Sequence, residues 1–182
     1  MKVYAFMADG TEEVECLSVV DLLRRAKFDV TTVSINEDTH IHSAHGVEIV
    51  CDTKLAEVND GEAELLFLPG GAVGTENFKN CEKLCTMLKA HAAAGKPLAA
   101  ICAAPSVFGV LGLLQGKNAT CYPGFEGELQ GASYTTEGVV RDGQFFTARG
   151  LGYALPLGFA LIEAFVSAEA AEAMKKAVQY DF

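Results

Sequence analysis

Basic residues are scarce in this chain: 14 Lys and Arg stand against 24 Asp and Glu, a formal charge of -10 over 182 residues. A surface that follows nucleic-acid phosphates or an anionic bilayer needs clustered Lys and Arg, so neither is an expected partner. The six cysteines, at 16, 51, 81, 85, 102 and 121, include no CxxC pair, which argues against a zinc ribbon or a disulfide framework. Cys81 and Cys85, one helical turn apart, read as core-packing thiols. Acidic residues begin at Asp9, too early for the apolar centre of a signal peptide, and the expected location is cytoplasmic. The charge-free run LAAICAAPSVFGVLGLL, residues 98–114, is interrupted by Pro105, Gly109 and Gly112 and reads as a strand and a buried helix, not a membrane span. Repeats, linkers and low-complexity tracts are lacking as well. What is present is a 50% hydrophobic chain with 18 glycines, the profile of a packed α/β protein whose length suits one domain over 1–182.

Strand and helix patterns alternate. KVYAFM reads as a short buried strand leading into ADGTEE, where Thr11 is placed to cap a helix running to about Lys27. Glu12 and Glu13 are expected to face solvent in its first turn, and Val14, Leu17, Val20 and Leu23 to form its apolar stripe. FDVTTVSI alternates as a strand should, and residues 37–52 read as a short hairpin or excursion. AELLFLPGG is a buried strand ending in a glycine turn, followed by a helix from about Thr75 to Ala94, a stop at Gly95 and the strand PLAAI. Then come a helix to about Leu114, a strand ATCY, a turn at Pro123 and Gly124, and the hairpin GVVRDGQFFTA with Asp142 and Gly143 at its tip. GYALPLGFALIEAF and SAEAAEAMKKAVQY close the chain as helices. Such alternation implies a mostly parallel sheet covered on both faces, with ligands collected beyond the carboxyl ends of its strands. The loops ADGTEEVE, LPGGAVGTEN and ICAAPS converge there.

Cys102 lies between the strand and the helix opened by Pro105, a setting similar to a nucleophile elbow. A helix N-terminus favours thiolate, so its pKa is expected below that of a free cysteine. The N-H of Ala103 and a second donor at Gly71 are placed to serve an oxyanion. Glu15, in the first turns of the first helix, is the candidate acid and base, its carboxyl kept neutral by partial burial. Taken singly, an inert buried cysteine and a glutamate serving the helix dipole remain open readings. The histidines of HIHSAH, 40, 42 and 45, lack a nearby cysteine or matching carboxylate spacing, so they read as solvent or interface groups and no metal is expected. His91 is assigned to its helix's last turn, and Arg149 either lines the pocket rim or, the favoured reading, ties a loop to a carboxylate.

Taken together, GTEEVE, LPGG and AAICAAP resemble the ThiJ/PfpI superfamily, and more narrowly its branch of Parkinson disease protein seven and the bacterial YajL. DLLRRA, VVRDGQFFTARGLG and FALIEAF extend the resemblance over nearly the whole chain. It implies a flavodoxin-like three-layer α/β/α sandwich related to class I glutamine amidotransferases, and a homodimer. It also implies Cys102 as nucleophile and oxidation-sensitive residue, Glu15 as its protonated partner, Gly71 and Ala103 as N-H donors, and Gly70, Tyr122 and His45 around the pocket. The implied activity is cofactor-free glyoxalase III or deglycase chemistry on a small aldehyde or dicarbonyl, with redox sensing or chaperone action as alternatives. Ala103 stands where the peptidase branch has a histidine, which disfavours proteolysis, and no residue supports a thiazole-specific reaction. Tyr122 replaces a histidine of human-type members, and His45 replaces an arginine near the dimer interface.

Overall fold

The computed structural model describes residues 1–59 and 61–181. Its strands are β1 (Lys2–Met7), β2 (Asp29–Ser34), β3 (His40–His42), β4 (Glu48–Val50), β5 (Thr53–Lys54), β6 (Leu65–Leu68), β7 (Leu98–Ile101), β8 (Asn118–Ala119), β9 (Ser133–Tyr134), β10 (Val139–Asp142) and β11 (Phe145–Ala148). Its helices are α1 (Glu13–Arg25), α2 (Ala72–Asn80), α3 (Glu82–Ala93), α4 (Pro105–Val110), α5 (Ala154–Phe165) and α6 (Ala168–Ala177). The main sheet runs β10-β11-β7-β6-β1-β2-β5, parallel except for the β10–β11 hairpin. The excursion between β2 and β5 is the antiparallel pair β3–β4.

β1 shows why the sheet lies between two layers. Val3, Ala5 and Met7 enter one apolar cluster with α1 and α5, while Tyr4, Phe6 and Ala8 enter another with α3 and α4. Side chains alternate across a strand, so a run with no polar alternation must be covered on both faces. Phe6, Phe67, Phe78, Phe108 and Phe146 are fully buried in these layers.

Three expectations are corrected by packing. Thr11 is not the cap of α1: its hydroxyl accepts from the Ala8 N-H at 2.9 Å, while the Glu12 carboxylate accepts from the Glu15 N-H at 2.6 Å. Glu12 and Glu13 do not face solvent but are 7% and 9% exposed. The β3–β4 hairpin covers them, held by Gly10 N-H to His42 carbonyl and Ala44 N-H to Thr11 carbonyl. The apolar stripe of α1 is Cys16, Val19, Val20 and Leu23, leaving Val14 and Leu17 exposed. A series at spacing three drifts about 60° per step around a helix of 3.6 residues per turn, so its early members leave the core face.

The helix expected over 75–94 is two, α2 and α3, broken where Cys81 adopts an extended backbone with ψ 95°. α4 stops at Val110, short of Leu114, because the chain turns back at Gly112, whose φ is +74°. Among the described residues, no helix is long and apolar enough to cross a membrane.

Candidate active site

β1, β6 and β7 lie side by side in parallel, so the loops that follow them leave the sheet at one edge. The β7 loop carries Cys102 at φ +64°, left-handed backbone that costs a residue with a Cβ roughly 1 to 2 kcal/mol. Three elements enforce the conformation. The Cys102 N-H donates to the Ala148 carbonyl at the end of β11, at 2.9 Å, and the Tyr122 N-H donates to the Cys102 carbonyl at 2.8 Å. On the third side Gly70 leaves no room: a Cβ there would lie 2.5 Å from the Cys102 Cβ and 3.1 Å from its Sγ. Small neighbours are needed at this junction because the thiol occupies the space a side chain would take.

Glu15 approaches from α1. Its Oε2 accepts the Gly70 N-H at 3.0 Å, and its carboxyl hydrogen-bonds the Cys102 sulfur. The sulfur also receives the backbone N-H groups of Gly71 and Ala103. Gly71 has φ +92°, and a Cβ on it would meet Glu12 N at 2.7 Å, so only glycine fits where the β6 and β1 loops cross. The Glu12 N-H donates to the Gly70 carbonyl at 2.9 Å and ties those loops together. Cys102, Glu15, Gly70, Gly71 and Ala103 are therefore one constellation.

Burial raises the Glu15 carboxyl to about 7; the Cys102 hydrogen bond opposes this, the Glu12 charge adds to it, and the Gly70 amide opposes it. Burial and the Glu15 carboxylate push the Cys102 thiol up to about 12, against the pull of the Gly71 and Ala103 amides. The sequence expectation of a thiol acidified by a helix dipole is thus corrected. α4 has only six residues, and burial together with the neighbouring carboxyl outweighs what its N-terminus offers the sulfur. Two anions cannot share so confined a space, so the protons leave in steps that belong to the pair. Loss of the first leaves one negative charge for both groups. The carboxyl is the first to give up its proton, so the charge rests on Glu15, and the two backbone amides at the sulfur only partly offset the rise of the thiol.

His45 is exposed, with Nδ1 3.2 Å from Glu13 and 3.7 Å from Glu12. The start of α1 thus supplies the two carboxylates that sequence spacing did not place beside His45. Tyr122, 51% exposed, stands on the other side of Cys102 with Pro123, Arg149, Leu151 and Tyr153 around a cavity of ≈ 370 Å³. Arg149 is not tied to a carboxylate as expected. Among the described residues, its guanidinium makes one hydrogen bond, a 3.5 Å contact from Nη1 to the Thr136 carbonyl.

A model of the DJ-1/PfpI family matches residues 1–164. The chain belongs to the DJ-1/PfpI family. It is 40% identical to protein DJ-1 homolog B of Arabidopsis thaliana over 93% of its own length, spanning only 39% of that longer protein. It is 31% identical to a deglycase of Pyrococcus abyssi, over 82% of this chain and 90% of that one. The solved structure of oxidized Toxoplasma gondii DJ-1 superposes with a TM-score of 0.93 at 31% identity, covering 100% and 99% of the two chains. The α/β layers are those of the flavodoxin-like fold of this family.

Proposed function

We propose that this DJ-1/PfpI protein is a cofactor-independent cysteine enzyme that converts small 2-oxoaldehydes to 2-hydroxy acids, an activity of the glyoxalase III or deglycase type. The observation that carries the reading is the shared contact of Glu15 with the Cys102 sulfur and the Gly70 N-H, beside the amides of Gly71 and Ala103. The Cys102 sulfur attacks the aldehyde carbon, forming a C-S bond and a hemithioacetal whose oxyanion is received by the Gly71 and Ala103 amides. Glu15, which takes the Cys102 thiol proton as sulfur attacks, passes it to that oxyanion; the carboxylate so regenerated removes the proton from that carbon and returns it to the adjacent carbonyl carbon while the hydroxyl proton passes to the neighbouring oxygen, leaving a 2-hydroxy thioester. Water then cleaves the C-S bond, releasing the acid and restoring the thiol. Methylglyoxal takes up one water in all and becomes lactate, with no net oxidation. Tyr122 takes no proton in this scheme.

Lactate formation from methylglyoxal without glutathione tests the reading. Cys102→Ala and Glu15→Gln should each abolish it, and undiminished turnover in Cys102→Ala overturns it. A second reading, a non-catalytic redox sensor, is favoured by the partly exposed Cys102 and by the relative described as oxidized. Two equivalents of peroxide would convert the thiolate to a sulfinate with release of two waters. Selective gain of two oxygens at Cys102, without dicarbonyl turnover, supports that reading over the enzyme.

The exposed Val14 and Leu17 of α1 border a groove of ≈ 610 Å³ with Leu155 and Val178. We assign this face to a second copy of the chain, in keeping with the homodimer that the family resemblance implies.

A further inference from the structure

We propose that the cavity bounded by Tyr122, Arg149, Leu151 and Tyr153 is a second substrate subsite, in which Arg149 binds a carboxylate carried at the far end of the 2-oxoaldehyde. This rests on the proposed 2-oxoaldehyde chemistry and names its substrate class: acids longer than three carbons, such as 4,5-dioxovalerate.

The cavity is attached to the nucleophile's own backbone. Tyr122 binds the Cys102 carbonyl through its N-H, and the Ala148 carbonyl that receives the Cys102 N-H is one residue before Arg149. Its walls are held in place by close glycine contacts. A Cβ on Gly150 would lie 3.2 Å from the Tyr122 ring, and one on Gly138 would overlap the Tyr153 ring. The Arg149 backbone N-H donates to the Gly138 carbonyl at 2.9 Å and the Tyr153 N-H to the Gly150 carbonyl at 2.7 Å, fixing the backbone from which Arg149 and Tyr153 line the cavity. At ≈ 370 Å³ the space lies at the lower end of the roughly 300–1,000 Å³ of small-molecule sites.

The guanidinium is the unusual feature. Arg24 pairs with Asp52, Arg25 with Asp21, and Arg141 stacks over Phe146, but Arg149 has no acidic partner among the described residues. A half-buried cation left without a carboxylate, in a chain with ten more acids than bases, is placed to receive an anion from outside. The apolar rings and Leu151 suit the short carbon spacer between that anion and the reacting carbonyl. 4,5-Dioxovalerate would undergo the same steps as methylglyoxal, taking up one water to give 2-hydroxyglutarate.

The test compares kcat/KM for 4,5-dioxovalerate with that for 2-oxopentanal, a neutral aldehyde of equal carbon count. The wild-type chain should prefer the carboxylate by roughly tenfold or more, the size expected of a charge-assisted hydrogen bond. Arg149→Met should bring the ratio near one, Arg149→Lys should retain part of it, and Arg141→Met should retain all of it. No preference in wild type, or an unchanged ratio in Arg149→Met, overturns the subsite. Should no 2-oxoaldehyde be turned over, the enzymatic reading fails, and calorimetry of 2-hydroxyglutarate with the Cys102→Ser protein then decides the subsite separately. Binding that Arg149→Met weakens at least tenfold upholds the subsite; absent or Arg149-independent binding refutes it.

Discussion

Replacing Glu15 by Gln should change the pH dependence of folding stability by an amount the structure supplies. The carboxyl is 1% exposed, and its burial carries it from 4.5 to about 7. Below pH 4.5 the folded and unfolded chains both hold the proton. Between 4.5 and 7 the unfolded chain releases it while the native pair retains it, so stability falls as pH rises. At about 1.36 kcal/mol per pH unit, the loss reaches roughly 3 kcal/mol by pH 7 and stays constant above it. The sum is the same whichever of Glu15 and Cys102 gives up the first proton, because both belong to one site. His91 acts in the opposite direction. Burial and the Lys96 charge lower its imidazole from 6.5 to about 4, so its contribution to stability grows as pH rises between those values. The wild-type curve alone would therefore look nearly flat over much of this range. Urea unfolding followed by circular dichroism, on wild type and Glu15→Gln at pH 4.5 to 7.5, isolates the Glu15 contribution as the difference between the two curves. That difference should fall by roughly 3 kcal/mol across the range. A difference constant to within about 1 kcal/mol would mean that Glu15 titrates as an exposed carboxyl does, and the account of the site would fail.

The elbow itself makes a prediction: Cys102→Gly should be about 1 kcal/mol more stable than Cys102→Ala in urea unfolding, because only glycine is unstrained at φ +64°; equal stabilities would refute the strain. Gly70→Ala should destabilise by roughly 1 to 3 kcal/mol through overpacking against Cys102 and abolish lactate formation, and a fully active, stable variant would contradict the packing described. Leu17→Glu should convert a two-chain species to a single chain in light scattering after gel filtration, since Leu17 is 42% exposed on the α1 face; an unchanged mass places the second copy elsewhere.

The amino-acid order was enough to locate the β-strands that carry the site and the residues at their ends. β1, β6 and β7 are apolar on both faces, and only strands sandwiched between two layers can satisfy that pattern, so the parallel sheet and its ligand-bearing edge follow from local composition. The same holds for Cys102 between a buried strand and Pro105, and for the glycines of LPGG, because backbone needs are written in residue type. Side-chain partners are not. The solvent-facing assignment of Glu12 and Glu13 failed because a hairpin some thirty residues later folds over them, and the carboxylate expected for Arg149 is missing because no element brings one there. The apolar stripe of α1 was misread by counting at three, where the helix turns at 3.6. The protonation of Cys102 likewise depends on burial, on Glu15 from α1 and on Gly71 from the loop after β6, and desolvation has no signature in a linear chain. Sequence settles which backbone conformations are affordable at each position; which charges meet, and in how little water, is decided only when distant segments close over one another.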